Sequence, residues 1–210
     1  SIQQMKSKNT HPNTSGETLI EVITAITTIV MAGIASVSVI IASFNSTTIS
    51  REYLIAQNLA REAIEGVTNI RDTNWLLYPD KKEACWLVLP QFSGEPHDTC
   101  QTKEKVSDTI FYVVARHPVK GNFIFAKNND ELDLETEPNP TTYGMFYDIV
   151  TEQYTHGTTE NLIWYRMVKF EQVDEAPFAD QVKVTVKVQW KGSKDLGTYE
   201  VSSILTNYAK

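Results

Sequence analysis

The sequence GETLIEV, residues 16–22, leads directly into an apolar run, VITAITTIVMAGIASVSVIIASF, which occupies residues 22–44. No charged residue occurs from residue 22 to residue 50. As a helix the run would be roughly 35 Å long, and the hydrocarbon core of a bilayer is about 30 Å thick. Its Ile, Val and Thr content would favour a strand in water, but in lipid only a helix or a closed barrel satisfies the backbone. The run is therefore predicted to be a helix that can span a membrane.

A single carboxylate, Glu21, stands at the start of this run. A charged side chain within a bilayer is costly, although the cost falls towards the edge, so we expect Glu21 to have a function. The basic residues Lys6 and Lys8 precede it in a short polar leader. Their positive charge predicts a cytoplasmic N-terminus, with the residues after the run on the other side of the membrane.

Small and hydroxylated side chains recur at intervals of three and four within the run. Such side chains let helices approach closely in a membrane or a bundle, whereas a lone anchor would more simply be rich in leucine. The run is therefore predicted to pack against other helices. The residues predicted for this contact are Ala25, Thr28, Ala32, Gly33, Ala35 and Ser36.

Gly16, followed after one residue by TLIEV (residues 18–22) and the apolar run, resembles the N-terminus of type IV pilins and pseudopilins. The resemblance implies that residues 1–16 are a leader, which a prepilin peptidase cuts between Gly16 and Glu17, and that the new N-terminus is methylated. It also implies that Glu21 pairs with the N-terminal amine of a neighbouring subunit and so fixes the subunit register in a filament.

Two features depart from the family pattern. Glu17 stands where the family usually has Phe or Met, and the run lacks the proline that is common midway along it, although Gly33 could serve as a weak point. A retained leader is therefore an alternative to cleavage after Gly16.

The resemblance further implies a location and a set of partners. Before assembly the chain would be a single-pass membrane protein with its N-terminus in the cytoplasm, and after assembly it would lie in an extracellular filament. The partners would be copies of this chain, other pilin-like subunits, an inner-membrane assembly platform and the peptidase.

Residues 49–70 continue with an apolar stripe that is typical of a helix. One helix is predicted over residues 18–72, with its second half packed on a sheet, and two helices with a bend at residues 45–48 are the alternative. The stripe consists of Ile49, Tyr53, Ala56, Ala60, Ala63, Val67 and Ile70.

Beyond residue 72 the apolar period changes to two, which indicates strands. The clearest case, VKVTVKVQW at residues 182–190, alternates apolar and polar side chains and predicts a half-buried antiparallel strand. Alternation also predicts that either Trp164 or Tyr165 faces outward. Strands are predicted over residues 84–89, 109–116, 122–126, 145–152, 161–171, 181–190 and 197–205.

One helix followed by a series of strands predicts an α+β fold, with an antiparallel sheet laid on the second half of the helix. This arrangement also suits a pilin-like architecture. The predicted organisation is a leader at 1–16, a transmembrane or fibre-core helix at 17–45, and a globular head at 46–210 that includes the second half of the helix.

Cys85 and Cys100 enclose a proline-containing loop, and a disulfide between them is predicted if this part of the chain lies outside the cytoplasm. Two free thiols are the alternative. The acidic, proline-rich segment 127–143 is predicted to be an exposed loop. Its hard oxygen ligands make it a weak calcium candidate, but the EF-hand spacing is absent and a solvated loop is favoured. The candidate ligands are Asp130, Glu131, Asp133 and Glu135.

A net charge of −7 disfavours nucleic-acid binding through phosphates. The sequence has no GxSxG, GxxxxGK[ST], GxGxxG or HExxH motif, and its four histidines are scattered, so neither catalysis nor a cofactor is expected. The leading hypothesis is a subunit of a type IV pilus-like or pseudopilus filament. The alternatives are a single-pass anchored binding module that does not polymerise, and a secreted protein with a conventional signal peptide.

Overall fold

The computed structural model describes residues 15–89, 100, 104–116, 121, 123–137, 140–151, 153–157, 163–173, 180–192 and 195–208, with the backbone alone for residues 15–17. The chain divides into two compact units, Ser1–Ile49 and Ser50–Lys210. The boundary between the units thus follows Ile49, whereas the sequence pattern places it after residue 45.

Helix α1 spans Ser15–Leu77 and supplies residues to both units. The prediction of one long helix is confirmed, although α1 begins before residue 18 and ends after residue 72. The helix ends where it does because Pro79 has no N–H and disfavours the helical conformation at Tyr78, whose φ and ψ are −126° and 62°. A 3₁₀ turn, Pro79–Lys81, and the short helix α2, Lys82–Cys85, follow.

The described residues form one antiparallel sheet of seven strands. Strand β5 lies inside the sheet, with β6 and then β7 on one side. The strands are β1 Phe111–Arg116, β2 Phe123–Asn128, β3 Gly144–Asp148, β4 Gln153–His156, β5 Trp164–Gln172, β6 Gln181–Lys191 and β7 Leu196–Thr206. The α+β prediction is confirmed.

The other side of β5 is shared by two hairpins. Trp164 and Tyr165 pair with β3 of the β3–β4 hairpin, whereas Val168 and Lys169 pair with β1 of the β1–β2 hairpin. Arg166 lies between these two pairings. The sheet is therefore forked at the middle of β5.

The main core lies between the second half of α1 and one face of the sheet. The helix contributes small side chains, including the fully buried Ala56, Ala60 and Ala63, which let it approach the strands closely. At Gly66 an added Cβ would lie 2.8 Å from a methyl group of Val114 and 2.9 Å from the ring of Phe123. The predicted apolar stripe is thus buried from Ala56 to Ile70, while its first two residues, Ile49 and Tyr53, are exposed.

The predicted disulfide between Cys85 and Cys100 is present, and both residues are buried beside Tyr78 and Val88. The predicted strand at 84–89 is wrong. The chain forms the end of α2, a turn and a single bridge between Val88 and Lys105. Its backbone groups bond instead in two directions: the side-chain amide of Asn74 donates to the carbonyls of Trp86 and Val88, and Leu87 and Leu89 form backbone hydrogen bonds with residues 106 and 104.

The predicted strand at 145–152 is also wrong in its second half. Strand β3 ends at Asp148, whose carboxylate accepts hydrogen bonds from the N–H of Val150 and the hydroxyl of Thr151. These bonds hold a turn, after which Gln153–His156 returns as β4, a strand that the sequence pattern did not reveal. The other predicted strands are present, with ends that differ by at most three residues.

The acidic segment is not a fully exposed loop. Lys127 and Asn128 belong to β2, and the side chains of Leu132 and Leu134 are buried against the sheet face opposite α1. The N–H of Leu134 also donates to the side-chain oxygen of Gln189.

The acidic segment covers part of the sheet face opposite α1. Because of this cover, the polar face of β6 is less exposed than the alternation of its side chains predicts. Gln189 and Thr185 on that face are both buried. Tyr165 is fully buried in the cluster that contains Leu132, and Trp164 is buried in the main core. The prediction that one of these two aromatic residues faces outward is therefore wrong.

Candidate functional site

The apolar part of α1 is the first candidate site. An 18-residue window in this helix has a mean hydropathy of 2.3, and none of its residues is buried. Every side chain described in the unit that ends at Ile49 is exposed. The helix is therefore long and apolar enough to cross a membrane.

Five hydroxyl groups of this stretch, those of Thr24, Thr27, Thr28, Ser36 and Ser38, bond to backbone carbonyls of the same helix. Thr27 donates to the carbonyl of Ile23, Thr28 to those of Thr24 and Ala25, and Ser36 to that of Ala32. Hydroxyls that bond to the preceding turn present little unsatisfied polarity to lipid or to a neighbouring helix. The Thr and Ser content is therefore compatible with an apolar environment.

Helical geometry places Glu21 on the same face as most of the predicted packing residues. At 3.6 residues per turn, five of them lie within an arc of roughly 100°, and Glu21 falls inside that arc. Gly33 lies roughly 60° beyond its edge, and an added Cβ there would meet no other atom within 4 Å. We call this arc the small-residue face; it contains Glu21, Ala25, Thr28, Ala32, Ala35 and Ser36.

The predicted cleavage point falls at the start of α1. The backbone of Gly16 and Glu17 is helical, but their side chains lie outside the described residues. The leader residues 1–14, including Lys6 and Lys8, also lie outside them. Thr24 donates its hydroxyl to the backbone carbonyl of Glu21, and the Glu21 side chain is exposed.

The weak calcium candidate gains no support from the positions of its carboxylates. The Glu131 carboxylate lies 3.5 Å from the amine of Lys187, and the Asp133 carboxylate accepts bonds from the N–H of Glu135 and the hydroxyl of Thr136. Within the described residues no three acidic, His or Cys side chains are grouped as metal ligands. Burial raises the pKa of the nearby Tyr143 to about 12, and its hydroxyl donates to the carbonyl of Asp130.

A second candidate site lies at the fork of the sheet, where the Arg166 side chain is buried beneath α1. Its Nη1 donates to the carbonyl of Leu59 at 2.9 Å and to the carboxylate of Glu62 at 3.0 Å. Its Nη2 donates to the carbonyl of Val114 at 2.7 Å. Burial lowers the pKa of Arg166, and the charge of Glu62 opposes that shift.

His156 completes this cluster. Its Nε2 lies 3.3 Å from Nη2 of Arg166, and its Nδ1 lies 3.2 Å from the carbonyl of Gly144. Because an arginine can only donate, Nε2 must be the acceptor and Nδ1 must carry the proton. Burial, followed by the charge of Arg166, lowers the pKa of His156 well below 6.5. The imidazole is therefore neutral in the folded protein.

A groove of about 710 Å³ opens beside this cluster. Its floor includes Glu62, His156 and Arg166, and its rim includes Arg116 and Gln153. The guanidinium of Arg166 is largely occupied by protein acceptors, although its Nε has none. The cluster therefore joins α1 to the two arms of the fork, and its polar groups line the groove.

Sequence reasoning missed this cluster because Glu62 and Arg166 are 104 residues apart. One signal was available. Arg166 occupies an inward position in the alternation of Trp164, Val168 and Phe170. An arginine at such a position needs a buried partner, since a buried charge without one is very costly.

The chain was compared with protein-family models, with curated proteins and with solved structures, and no match was found.

Proposed function

We propose that this chain is a structural subunit of a type IV pilus-like or pseudopilus filament. The observation that carries the proposal is the small-residue face of α1, which aligns one carboxylate, Glu21, with five small residues on the apolar part of the helix, where every described side chain up to Ile49 is exposed. Such a face suits a helical neighbour better than lipid alone, because small residues allow close packing and a carboxylate needs a cation.

The proposed mechanism is physical. Apolar helices leave the membrane and bundle into a filament core through their small-residue faces. If cleavage occurs after Gly16, the new amine at Glu17 lies near the depth of Glu21, so Glu21 of one subunit can pair with the amine of the next. The free energy for extraction from the membrane would come from a separate assembly platform.

Substitution of Glu21 tests the proposal. We expect Glu21→Ala to insert in the membrane in normal amounts but to enter filaments poorly, as measured by immunoblots and electron microscopy of sheared cell-surface fractions. Glu135→Ala, which removes an exposed carboxylate from the second unit, is the matched control. Normal filament yield from Glu21→Ala would contradict the proposal.

The groove beside Arg166 supports the second candidate, an anchored binding module that does not polymerise. The two functions differ in where the chain is found. Only the filament hypothesis gives sheared filaments that contain this chain, and N-terminal sequencing of that material would begin at Glu17 if the leader is cut. A chain found solely in the membrane would favour the binding module.

A further inference from the structure

The β3–β4 hairpin is held to the rest of the sheet at few points. Among the described residues, β3 pairs with β5 at two positions, Gly144 with Tyr165 and Met145 with Trp164, whereas β6 pairs with β5 at nine. Of the nine residues in β3 and β4, only Gly144 and Met145 are buried. A two-stranded hairpin without other support is at best marginally stable in water. The position of this hairpin therefore depends on a few contacts with its surroundings.

One of these contacts is the hydrogen bond between Arg166 on β5 and His156 at the end of β4. Nη2 of Arg166 lies 3.3 Å from Nε2 of His156. The other ring nitrogen, Nδ1, bonds to the carbonyl of Gly144, which belongs to the same hairpin. If the hairpin moved away as a unit, the imidazole would therefore keep its bond to Gly144 and lose its bond to Arg166.

Arg166 would keep its other partners if the hairpin moved away. Its guanidinium donates to the carbonyls of Leu59 and Val114 and to the carboxylate of Glu62. These three acceptors lie on α1 and β1, outside the hairpin. Opening of the hairpin would thus leave the arginine paired and avoid the large cost of an uncompensated buried charge.

A protonated His156 does not fit beside Arg166. Both nitrogens of a protonated imidazole are donors, so Nε2 could no longer accept a bond from Arg166, and two cations would face each other. Burial, followed by the charge of Arg166, holds the pKa of His156 well below 6.5 in the closed structure, although the carbonyls of Gly144 and Val114 oppose this shift. An exposed imidazole has a pKa of about 6.5. A proton therefore binds more tightly to His156 when the hairpin has moved away from Arg166.

The other charged and titratable side chains that line the groove around this pair do not account for a change between pH 7.5 and pH 5. Arg116 on β1 keeps its charge throughout. Hydrogen bonds from the turn after β3 lower the pKa of Asp148 from 3.8, and burial raises the pKa of Tyr154 on β4 from 10.0. Asp148 therefore stays ionised and Tyr154 stays neutral. The Glu62 carboxylate on α1 bonds to Arg166, which does not move with the hairpin.

We propose that the β3–β4 hairpin is a pH-sensitive latch, which the hydrogen bond between His156 and Arg166 holds closed at neutral pH and which opens in acid. Opening removes one wall of the groove, because Asp148 and Gln153 lie on the hairpin, whereas Arg116 lies on β1. The groove is therefore complete only while the latch is closed. The latch does not depend on the proposed filament function, because it uses residues of the second unit alone.

Hydrogen exchange of the full-length chain in mild detergent tests the latch. The quantity to compare is the protection factor of the backbone amides, which corrects for the pH dependence of intrinsic exchange. Below pH 6.5 the open fraction rises by up to about tenfold per pH unit, so we expect the protection of β3 and β4 to fall about thirtyfold from pH 7.5 to pH 5. The protection of the hairpin should also be at least about tenfold lower than that of β6 and β7 and should change little with low urea, because a local opening exposes little surface.

The matched control is His156→Gln, which keeps an acceptor for Arg166 but does not titrate. We expect the protection of its hairpin to change less than about threefold between the two pH values. The dependence on pH decides the test, so a hairpin that is loosened in the variant at both pH values remains informative. Three results would overturn the proposal: hairpin protection in the natural chain that is independent of pH, hairpin protection equal to that of β6 and β7, which would mean that the hairpin opens only when the whole unit unfolds, or an equal fall in His156→Gln.

Discussion

Nη1 of Arg166 on β5 donates a 3.0 Å hydrogen bond to the carboxylate of Glu62 on α1. The guanidinium is almost completely buried, whereas the Glu62 side chain is 42% exposed. Nη2 of the same guanidinium also donates to the carbonyl of Val114 on β1 and lies 3.3 Å from Nε2 of His156 on β4. One side chain therefore joins the helix to both sides of the gap at the fork of the sheet.

Replacement of Arg166 should destabilise the second unit strongly. We expect Arg166→Met to lower the free energy of unfolding by about 3 kcal/mol, because the buried carbonyl of Val114 loses its donor and Glu62 loses its partner. Urea denaturation in mild detergent, followed by tryptophan fluorescence, measures this change. Arg61→Met is the control, since the Arg61–Glu65 pair is exposed and should contribute about 0.5 kcal/mol or less. If Arg166→Met and Arg61→Met lowered the free energy of unfolding equally, Arg166 would not have this stabilising role.

His156 should make the folded state less stable in acid. Its folded pKa lies well below 6.5, so the unfolded chain binds a proton first as the pH falls. The contribution of His156 is complete above pH 6.5 and decreases below it, by up to about 1.4 kcal/mol per pH unit, until the folded pKa is reached. Urea denaturation between pH 7.5 and pH 5 tests this.

The control for this pH dependence is His156→Gln, which keeps an acceptor for Arg166 but does not titrate. Its free energy of unfolding should change less with pH than that of the natural chain. Parallel curves for the two proteins would show that His156 does not cause the acid sensitivity.

Loss of the Cys85–Cys100 disulfide should destabilise the second unit. The sequence separation of 15 residues corresponds to about 3 kcal/mol in the loop-entropy model. We expect the double variant Cys85→Ser, Cys100→Ser to unfold at lower urea concentration by that amount. A reductant should shift the natural chain equally and leave the variant unchanged. If full reduction of the disulfide left the urea unfolding of the natural chain unchanged, the estimate would be refuted.

The small-residue face predicts a difference between two adjacent threonines. Thr28 lies on this face, whereas Thr27 lies roughly 100° from Thr28 around the helix axis. The hydroxyls of both threonines bond to carbonyls of the preceding turn. We expect Thr28→Leu to reduce filament yield severalfold, because the larger side chain prevents close packing, and Thr27→Leu to leave it near normal. Immunoblots of sheared filaments measure the yield. Equal yields would show that the small-residue face does not pack.

The buried leucines of the acidic segment should matter more than its carboxylates. Leu132 is fully buried, so Leu132→Ala should cost about 3 kcal/mol of unfolding free energy. Glu135→Ala should change stability by less than about 0.5 kcal/mol, because its side chain is exposed. Both values come from the same urea denaturation. A stable Leu132→Ala variant would mean that the segment is not anchored through this residue.

The parts of the fold that depend on local pattern were predictable. The apolar run, the spacing of Ala56, Ala60 and Ala63, and the change to period two after residue 72 gave the helix, its buried side and most strands. The ends of elements were less predictable, because they depend on individual contacts. Strand β3 ends at Asp148 because that carboxylate caps a turn.

The two candidate sites also differ in whether the local sequence pattern could predict them. The composition of the small-residue face and the position of Glu21 follow from helical periodicity, which is a local property. The partners of Arg166 could not be read from the sequence, because Glu62 and Val114 come close to it only when α1 and β1 meet at the fork. The burial of Leu132 likewise depends on Met167 and Tyr165, which lie more than thirty residues further along the chain.

The sequence by itself determined that a membrane-length apolar helix precedes an antiparallel sheet, because hydropathy and periodicity act between neighbours in the chain. Only the tertiary structure decided which polar groups are buried together, which face of the sheet the acidic segment covers, and which strand is left at the edge. Those outcomes depend on contacts between residues far apart in sequence, and no local pattern encodes them.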